Sequence, residues 1–359
     1  MTEIFHNLTI LDARRETDDA VSLGFALPPE MESAFRFRAG QHVTLRAMID
    51  GEELRRNYSL CVSPHDGELR VAIKRIAGGR FSSWANEQLV AGSAIDLMPP
   101  HGSFTWHFDP VQRRSYLGIA GGSGITPVLS LLKTALIEEP GSRFTLLYGN
   151  RQSGGIMFLE ELAALKNRYM DRLAVYHFLE DELDAEAPLF NGRLDSERLA
   201  ELLGTLVDPR SIDAAFICGP APMMDAAEAA LGEAGVAREA ILLERFTADR
   251  PSGAAAIELD RQRSEAAGRQ LIIAMDGRTR RVEFDSRHGS ILDNARAAGL
   301  AAPYACKAGV CATCRARLVE GEVSMAANYG LTAEELAKGY ILTCQAVPLT
   351  EEVTLDYDG

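Results

Sequence analysis

Four cysteines near the carboxyl end constrain this 359-residue chain more than any other feature. Cys306, Cys311, Cys314 and Cys344 are spaced C-x4-C-x2-C-x29-C, a pattern typical of a [2Fe–2S] cluster held by three thiolates from a tight loop and a fourth from a distant segment. The alternative is a structural zinc site, but such sites usually combine two C-x2-C or C/H pairs. Since this chain has one such pair, the spacing predicts an iron–sulfur domain.

Two other interpretations of the cysteines are weaker. A Rieske-type centre needs two histidine ligands, and no histidine lies within or near the set. Disulfides belong to oxidising compartments, and the amino-terminal sequence contains no apolar segment of the kind that directs export. We expect the small residues Ala308 and Gly309 to let backbone N–H groups approach the cluster sulfurs.

Charge and hydropathy exclude several classes of protein. The formal net charge is −14 and no run of Lys and Arg is present, which argues against binding to nucleic acid. No apolar stretch reaches the ~18–20 residues needed to span a bilayer. We therefore expect a cytoplasmic protein that binds neither nucleic acid nor membrane, and whose acidic surface suits a basic protein partner.

The patterning of the chain indicates three domains. Residues 1–108 contain short alternating segments separated by turn residues, which predict an antiparallel β-barrel. Residues 109–247 alternate strands, glycine turns and amphipathic helices, which predict a doubly wound α/β domain. Residues 248–268 lack a clear period and predict a linker. Residues 269–359 then contain a hairpin, a helix, the cysteine loop and a last strand.

The segment Arg56-Asn57-Tyr58-Ser59 ends a predicted strand of the barrel and is the first sign of a flavin. Arg can pair with a pyrophosphate, Tyr can pack on an isoalloxazine ring, and the Ser hydroxyl can lie near N5, the atom that accepts hydride. On its own this string is weak, because an exposed Arg and a half-buried Tyr at a sheet edge are common.

A second segment supports the flavin. Lys74 lies on the next predicted strand, and Gly78-Gly79-Arg80-Phe81-Ser82 then begins a predicted helix. Glycines before a helix expose backbone N–H groups to phosphate, and Ser82 adds a hydroxyl. The two segments together predict a dinucleotide ligand, FAD.

The segment Gly121–Pro127, GGSGITP, indicates a second dinucleotide site. A strand, a glycine turn and a helix that begins with proline form the layout that places a pyrophosphate at a helix N-terminus. An ordinary strand-to-helix turn is the alternative. Cys218-Gly219-Pro220 follows a later strand at the same carboxyl edge of the sheet, where ligands of open α/β sheets bind. Cys218 is therefore expected to line the nicotinamide, unless it is an inert buried thiol.

The residues after the strand FTLLYGNR bear on the choice of coenzyme. Sites specific for NAD often carry an acidic residue there for the ribose 2′-hydroxyl, whereas this chain has Asn150 and Arg151. This favours NADPH, with Arg151 near the 2′-phosphate. NADH stays open, because a surface Arg after a strand is common.

These motifs occur in the order R-N-Y-S, G-G-S-G-I-T-P, C-G-P and the cysteine loop. In that order they resemble the ferredoxin-NADP reductase superfamily with a carboxyl-terminal plant-type ferredoxin domain, over essentially the whole chain. The resemblance implies a β-grasp fold for that last domain. A closer similarity is to the family of phenylacetyl-CoA epoxidase reductase subunits, which pass electrons from NADPH to a di-iron oxygenase. It rests on GEELRRNYSLC, IKRIAGGRFSSW, TLLYGNR, AFICGPAPMMD, LLERF, PYACKAGVCATC and GYILTCQAVPLT.

The resemblance also implies roles for individual residues. The residues implied to contact FAD are Arg56, Tyr58, Ser59, Lys74, Gly79 and Ser82. Those implied to contact the nicotinamide dinucleotide are Gly122, Gly124, Thr126 and Cys218. Glu244 and Phe246 fall where such reductases bring an acid and an aromatic side chain toward the flavin. Ser59, Cys218 and Glu244 are thus the candidate catalytic residues, and the four clustered cysteines the iron ligands.

Electron counting gives the order of the three centres. NADPH delivers two electrons as a hydride and a [2Fe–2S] cluster accepts one at a time, so FAD belongs between them. The favoured function is electron transfer from NADPH to an oxygenase of phenylacetate breakdown. One alternative is a similar reductase for a Rieske-type or other hydroxylase of steroids or aromatics. Another is a redox-sensing binding module without turnover, against which the intact nicotinamide segment argues.

Overall fold

The computed structural model describes residues 5–182, 187–246 and 254–359. The strands are β1 (His6–Thr17), β2 (Ala20–Phe25), β3 (His42–Ile49), β4 (Glu52–Ser59), β5 (Leu69–Lys74), β6 (Ala94–Leu97), β7 (Ser115–Gly121), β8 (Arg143–Asn150), β9 (Leu173–Leu179), β10 (Ala214–Cys218), β11 (Ile241–Glu244), β12 (Gln270–Met275), β13 (Arg278–Glu283), β14 (Arg315–Glu320), β15 (Val323–Met325), β16 (Tyr340–Leu342), β17 (Ala346–Pro348) and β18 (Glu352–Asp356). The helices are α1 (Arg80–Gln88), α2 (Ile125–Glu138), α3 (Leu159–Arg168), α4 (Ser196–Leu202), α5 (Ala221–Glu233), α6 (Ala254–Glu265), α7 (Ile291–Ala297) and α8 (Ala333–Ala337).

The described residues divide into two compact units. One comprises Phe5–Leu54 and Tyr58–Glu244, and the other comprises Arg55–Asn57 and Arg245–Gly359. The first unit thus holds most of the predicted barrel together with the α/β sheet, and the second holds the cysteine loop. Within the described ranges, no helix is both long and apolar enough to traverse a bilayer.

The first part of the chain forms the predicted antiparallel barrel. Its strands are ordered β4-β3-β6-β1-β2-β5, and an antiparallel bridge between Leu60 and Val71 joins the chain after β4 to β5 at the other edge of the sheet. Alternate side chains fill the interior, among them Leu23 and Val43, which are fully buried. Helix α1 adds Phe81 to the same core.

The next part forms the predicted doubly wound α/β fold. Five parallel strands are ordered β11-β10-β7-β8-β9. Helices α2 and α3 pack on one face of this sheet, and α4 and α5 pack on the other. Because the strand order reverses between β7 and β10, the carboxyl ends of these two neighbours border the crevice where such folds bind ligands.

The turn between β7 and α2 packs closely on the end of β10. A single 3-10 turn, Gly122–Gly124, connects the two elements. A Cβ on Gly124 would lie 2.1 Å from the carbonyl oxygen of Cys218, and one on Gly121 would lie 2.6 Å from Cδ of Pro220. Gly122 differs, since its φ of +51° favours glycine but no atom lies within 4 Å of its Cβ position. Glycine is thus required at 124 for space and at 122 for backbone conformation.

Helix α2 also joins the α/β sheet to the barrel. The Oγ of Ser130 donates a hydrogen bond of 2.6 Å to the carbonyl oxygen of Val62. One turn later, the Oγ1 of Thr134 donates to the Oγ of Ser63 at 2.9 Å. All of these groups are buried, so a polar stripe on an otherwise apolar helix holds the barrel segment that follows β4.

The second unit contains a mixed sheet crossed by a helix, as the β-grasp prediction requires. Its strands are ordered β13-β12-β18-β14-β16, with β12 and β18 parallel and the other pairs antiparallel. Ile291 and Leu292 of α7 pack into the core that the sheet covers, and β15 pairs separately with β17.

The segment predicted as a linker is partly helical. Residues 248–253 lie outside the described residues, but α6 occupies most of the remainder. Ion pairs of Arg261 with Glu258 and Glu265 lie on its exposed surface, and its Leu259 packs against the core of the second unit. Because the helix has few apolar side chains among many charged ones, the segment shows no clear hydrophobic period, and the sequence pattern did not indicate it.

The packing of the glycine turn predicts different costs for two alanine substitutions. We expect Gly124→Ala to lower the free energy of unfolding by ~2–3 kcal/mol, because its Cβ would collide with the β10 backbone. Gly122→Ala should cost only ~1 kcal/mol, the penalty of a left-handed alanine in open space. Urea denaturation followed by tryptophan fluorescence measures both. Equal losses would contradict the close packing of this turn on β10.

Candidate functional site

The strand β4 carries the residues predicted to contact the flavin. Ser59 is 3% exposed, and its Oγ is buried with no hydrogen-bond partner among the described residues. A buried hydroxyl left unpaired costs ~1–3 kcal/mol, so this group is suited to bonding a ligand. The half-buried ring of Tyr58 lies 5.8 Å from the ring of Phe81. Arg56 is exposed on the same strand. This strand fits the FAD that the sequence predicts.

The second predicted flavin segment is a tight turn before α1. Gly79 is the residue before the helix, and a Cβ there would lie 2.5 Å from the Oγ of Ser82. The Ser82 hydroxyl donates to the carbonyl oxygen of Gly79 at 3.2 Å and accepts from the N–H of Ile76 at 3.1 Å. In this conformation Ser82 shapes the turn through its own hydroxyl.

Lys74 lies at the end of β5, beside the α/β domain. Its Nζ donates to the carbonyl oxygen of Gly155 at 3.3 Å and lies 3.7 Å from a carboxylate oxygen of Asp19. The ammonium group is therefore held at the border between the barrel and the α/β sheet within the first compact unit.

The predicted nicotinamide residues meet at the crevice between β7 and β10. Gly122 and Gly124 form the turn described above, and Thr126 is buried in the first turn of α2, where its Oγ1 donates to the carbonyl oxygen of Ser123 at 3.0 Å. The Thr126 side chain therefore stabilises the turn from inside the helix. Cys218 ends β10 directly beside this turn.

Cys218 and Glu244 are brought together by strand register. In the parallel pairing of β10 with β11, Cys218 is opposite Glu244. Burial raises the pKa of the Cys218 thiol well above its usual range, and the nearby Glu244 carboxyl raises it further. The thiol is therefore neutral, which suits a small apolar wall of a binding site better than a redox-active sulfur.

His42 is a residue of this site that the sequence analysis missed. It begins β3, is buried, and its Nδ1 lies 3.6 Å from a carboxylate oxygen of Glu244. Its ring packs edge-on against His101 at 4.3 Å. Burial and the neighbouring His101 lower the pKa of His42 well below its usual range, so the ring is neutral. The segment QHVTL resembles any barrel strand, and only the folded barrel brings this ring to Glu244.

Arg151 and Phe246 occupy more exposed positions. The Arg151 side chain is 81% exposed after β8, and its Nε lies 3.4 Å from a carboxylate oxygen of Asp181. Phe246 is 38% exposed and is the last described residue before residues 247–253. Arg151 thus has the accessibility that a coenzyme phosphate requires, although an acidic group already lies beside it.

The four clustered thiols lie as two neighbouring pairs, Cys306 with Cys311 and Cys314 with Cys344. The neighbouring Cys311 and burial raise the pKa of Cys306, whereas the neighbouring Cys306 lowers the pKa of Cys311. In the part of the chain that the structure describes, no three Cys, His, Asp or Glu side chains are arranged to hold a single metal ion. Two pairs of sulfurs fit the donor set of a two-iron cluster.

The backbone of the cysteine loop turns inward toward these sulfurs. Lys307, Gly309 and Ala312 all have left-handed backbones, with φ of 51°, 75° and 54°. The N–H of Ala308 donates to the Sγ of Cys306 at 3.2 Å, as expected from its small side chain. Backbone N–H donors of this kind are what a negatively charged cluster needs.

The fourth cysteine is held near the loop by hydrogen bonds that the sequence analysis did not identify. The Oγ1 of Thr343 donates to the carbonyl oxygen of Cys314 at 2.7 Å and accepts from the hydroxyl of Tyr357 at 2.8 Å. The Nε2 of Gln345 donates to the carbonyl oxygen of Lys307 at 3.0 Å. The residues on both sides of Cys344 therefore fix its approach to the loop.

Three family models match successive segments of the chain. The match to the oxidoreductase FAD-binding domain covers residues 7–106, and that to the oxidoreductase NAD-binding domain covers residues 119–229. The match to the 2Fe-2S iron-sulfur cluster binding domain covers residues 273–349. These matches agree with the barrel, the α/β sheet and the cysteine-bearing unit.

Whole proteins are also similar over their full length. The chain is 45% identical to a component of the 1,2-phenylacetyl-CoA epoxidase of Escherichia coli (strain K12), across 99% of this chain and 98% of that protein. It is 36% identical to the ferredoxin reductase component of 3-ketosteroid-9-alpha-monooxygenase of Mycobacterium tuberculosis, across 98% and 95%. The fold matches phthalate dioxygenase reductase with a TM-score of 0.60 and 24% identity, across 98% of both chains. The chain therefore belongs to the family of FAD-, nicotinamide- and [2Fe–2S]-binding oxidoreductases that serve as electron-transfer reductase components of oxygenases.

Proposed function

We propose that this chain is the NADPH-dependent reductase of a phenylacetyl-CoA epoxidase system and delivers electrons to its di-iron oxygenase. The observation that carries this proposal is the 45% identity to the epoxidase component over nearly the whole of both chains, compared with 36% for the ketosteroid reductase. The proposed place of action is the cytoplasm, and the proposed partner is the oxygenase protein, without nucleic acid or membrane.

The flavin side of the proposal assigns distinct tasks to the residues of the barrel. FAD, when bound, accepts a hydride and releases electrons singly. The unpaired Ser59 hydroxyl is suited to bond the ring edge, and Tyr58 is suited to pack on its face. Arg56 and Lys74 supply positive charge for the pyrophosphate, and the turn at Gly79 supplies backbone N–H groups. Ser82 contributes through the shape of that turn.

The nicotinamide side of the proposal uses the crevice between β7 and β10. The glycine turn lets a pyrophosphate approach the start of α2. Gly122 and Gly124 form this turn, and Thr126 stabilises it from the first turn of the helix. Buried Cys218 and half-buried Glu244 are proposed to lie beside the nicotinamide ring and to restrict its position toward the flavin. Since hydride transfer needs no side-chain proton, a neutral thiol beside a held carboxyl is sufficient. Phe246 is proposed to cover the flavin.

Coupling to the correct oxygenase tests the partner assignment. The reductase is mixed with NADPH and either the phenylacetyl-CoA epoxidase oxygenase with phenylacetyl-CoA, or the 3-ketosteroid 9α-monooxygenase oxygenase with its steroid. We expect NADPH consumption and product to match one for one only in the first mixture. Coupled product formation with the steroid system alone would assign the chain to the second class.

Removing one iron ligand should separate the two halves of the electron path. We expect Cys311→Ser to abolish the visible absorption of the cluster and the reduction of cytochrome c, while NADPH reduces FAD at a rate within about twofold of wild type. The matched control is Cys61→Ser, because Cys61 is a buried thiol outside the cluster whose Sγ donates to the carbonyl oxygen of Arg70 at 3.4 Å. Loss of flavin reduction in Cys311→Ser would refute the proposed division of labour.

Arg151 is proposed to set the preference for NADPH by binding the 2′-phosphate. We expect Arg151→Ala to raise the KM for NADPH by about 10–100-fold and to leave that for NADH within about twofold, because a charge-assisted hydrogen bond is lost only with NADPH. Arg193→Ala is the control, since this exposed arginine pairs with Glu180, the residue next to Asp181. An unchanged ratio of the two KM values in Arg151→Ala would refute the phosphate contact.

A further inference from the structure

We propose that Tyr148 is a positioning residue that holds the glycine turn in the conformation that binds the nicotinamide dinucleotide. Tyr148 lies on β8 and is completely buried. Its hydroxyl donates a hydrogen bond of 3.0 Å to the carbonyl oxygen of Gly122. This inference rests on the proposed assignment of the turn to the dinucleotide, and it adds a residue that does not itself touch the ligand.

The carbonyl group of Gly122 controls the direction of a neighbouring N–H group. A peptide unit is planar and trans, so the N–H of Ser123 points away from the carbonyl of Gly122. That carbonyl already accepts the N–H of Ile125 within the turn, and Tyr148 adds a second donor from the adjacent strand. Turning the carbonyl toward the phenol therefore directs the Ser123 N–H to the opposite side, the arrangement in which a helix N-terminus binds phosphate.

The backbone of Gly122 shows why a second donor is useful. Its φ of +51° lies in the left-handed region, and its Cβ position is open space. No neighbouring side chain therefore restricts this residue, and glycine itself has the widest range of backbone conformations. A hydrogen bond from a rigid, buried ring limits that freedom without occupying the space that a ligand needs.

The same phenol faces a second part of the coenzyme site. Burial raises the pKa of Tyr148, and the nearby Asn150 side chain and the N–H of Met157 offset part of that rise. The Asn150 amide is buried, and neither its nitrogen nor its oxygen has a hydrogen-bond partner within the described residues. Asn150 directly precedes Arg151, the proposed 2′-phosphate contact. One hydroxyl thus lies between the turn for the pyrophosphate and the segment for the phosphorylated ribose.

The neighbouring strand offers a matched control. Tyr116 is the second residue of β7 and is also buried, and its hydroxyl donates to the Oε2 of Glu139 at 2.8 Å. It belongs to the same sheet but lies at the amino end of its strand, away from the crevice. Tyr116→Phe therefore removes a buried phenol hydroxyl from the same sheet, one that also accepts from Trp106 and Arg114 and that makes no hydrogen bond to the glycine turn.

The experiment measures coenzyme binding to the holoenzyme by rapid-mixing reduction of FAD. We expect Tyr148→Phe to raise the Kd for both NADPH and NADH by about 5–15-fold, the effect of one buried hydrogen bond, with the limiting rate of flavin reduction within about twofold. Tyr116→Phe should leave the Kd unchanged although it lowers the melting temperature at least as much, because the Tyr116 hydroxyl bonds the buried Glu139 carboxylate. An unchanged Kd in Tyr148→Phe, or the same rise in Tyr116→Phe, would overturn the proposal.

A second measurement needs no variant. In wild-type protein, hydrogen–deuterium exchange at the Ser123 amide should slow when NADP+ is added, because this N–H is directed at the ligand. Unchanged exchange there overturns the proposal even where Tyr148→Phe does not fold. Failure of the proposed function would give a different result. Neither coenzyme would reduce the flavin of the wild-type protein, or product would form with another oxygenase.

Discussion

The contact between helix α2 and the barrel segment after β4 is the constraint on which the site depends. The Ser130 hydroxyl bonds the carbonyl oxygen of Val62, and Lys133 lies 2.6 Å from a carboxylate oxygen of Asp66. Val62 and Asp66 lie within seven residues of Ser59 along the chain. Helix α2 also begins at the glycine turn. One helix therefore fixes the position of the proposed flavin strand with respect to the proposed nicotinamide crevice. Hydride transfer requires the two reacting rings to be placed to within a fraction of an ångström.

The chemistry of the site follows from burial more than from charge. Cys218 and His42 are both buried and neutral, because desolvation disfavours a thiolate and an imidazolium alike. Glu244 lies beside both of them. Such a site is poorly suited to proton transfer with solvent and well suited to orienting two flat rings with water excluded. This agrees with a reaction in which a hydride moves directly between two cofactors.

The cysteine-bearing unit positions its cluster ligands through contacts made within the unit itself. Its loop places left-handed residues between the ligands and directs the N–H of Ala308 at the Sγ of Cys306, and the side-chain amide of Gln345 faces the Sγ of Cys344. The Thr343 and Tyr357 hydroxyls then hold the later strand beside Cys314. The unit also has its own hydrophobic core.

Features that depend on local spacing could be predicted from the order of residues alone. The first three clustered cysteines, the strand R-N-Y-S and the glycine turn each lie within a few residues of sequence. Alternating strands and helices were enough to predict the barrel, the doubly wound sheet and their order. The pattern did not indicate α6, because the few apolar side chains of this helix give no clear hydrophobic period. Folding was needed to bring His42 to Glu244, Tyr148 to Gly122 and the Ser82 hydroxyl into its own turn. These contacts join separate strands or depend on the course of a turn, and strand register and backbone direction are settled by packing rather than by neighbours along the chain.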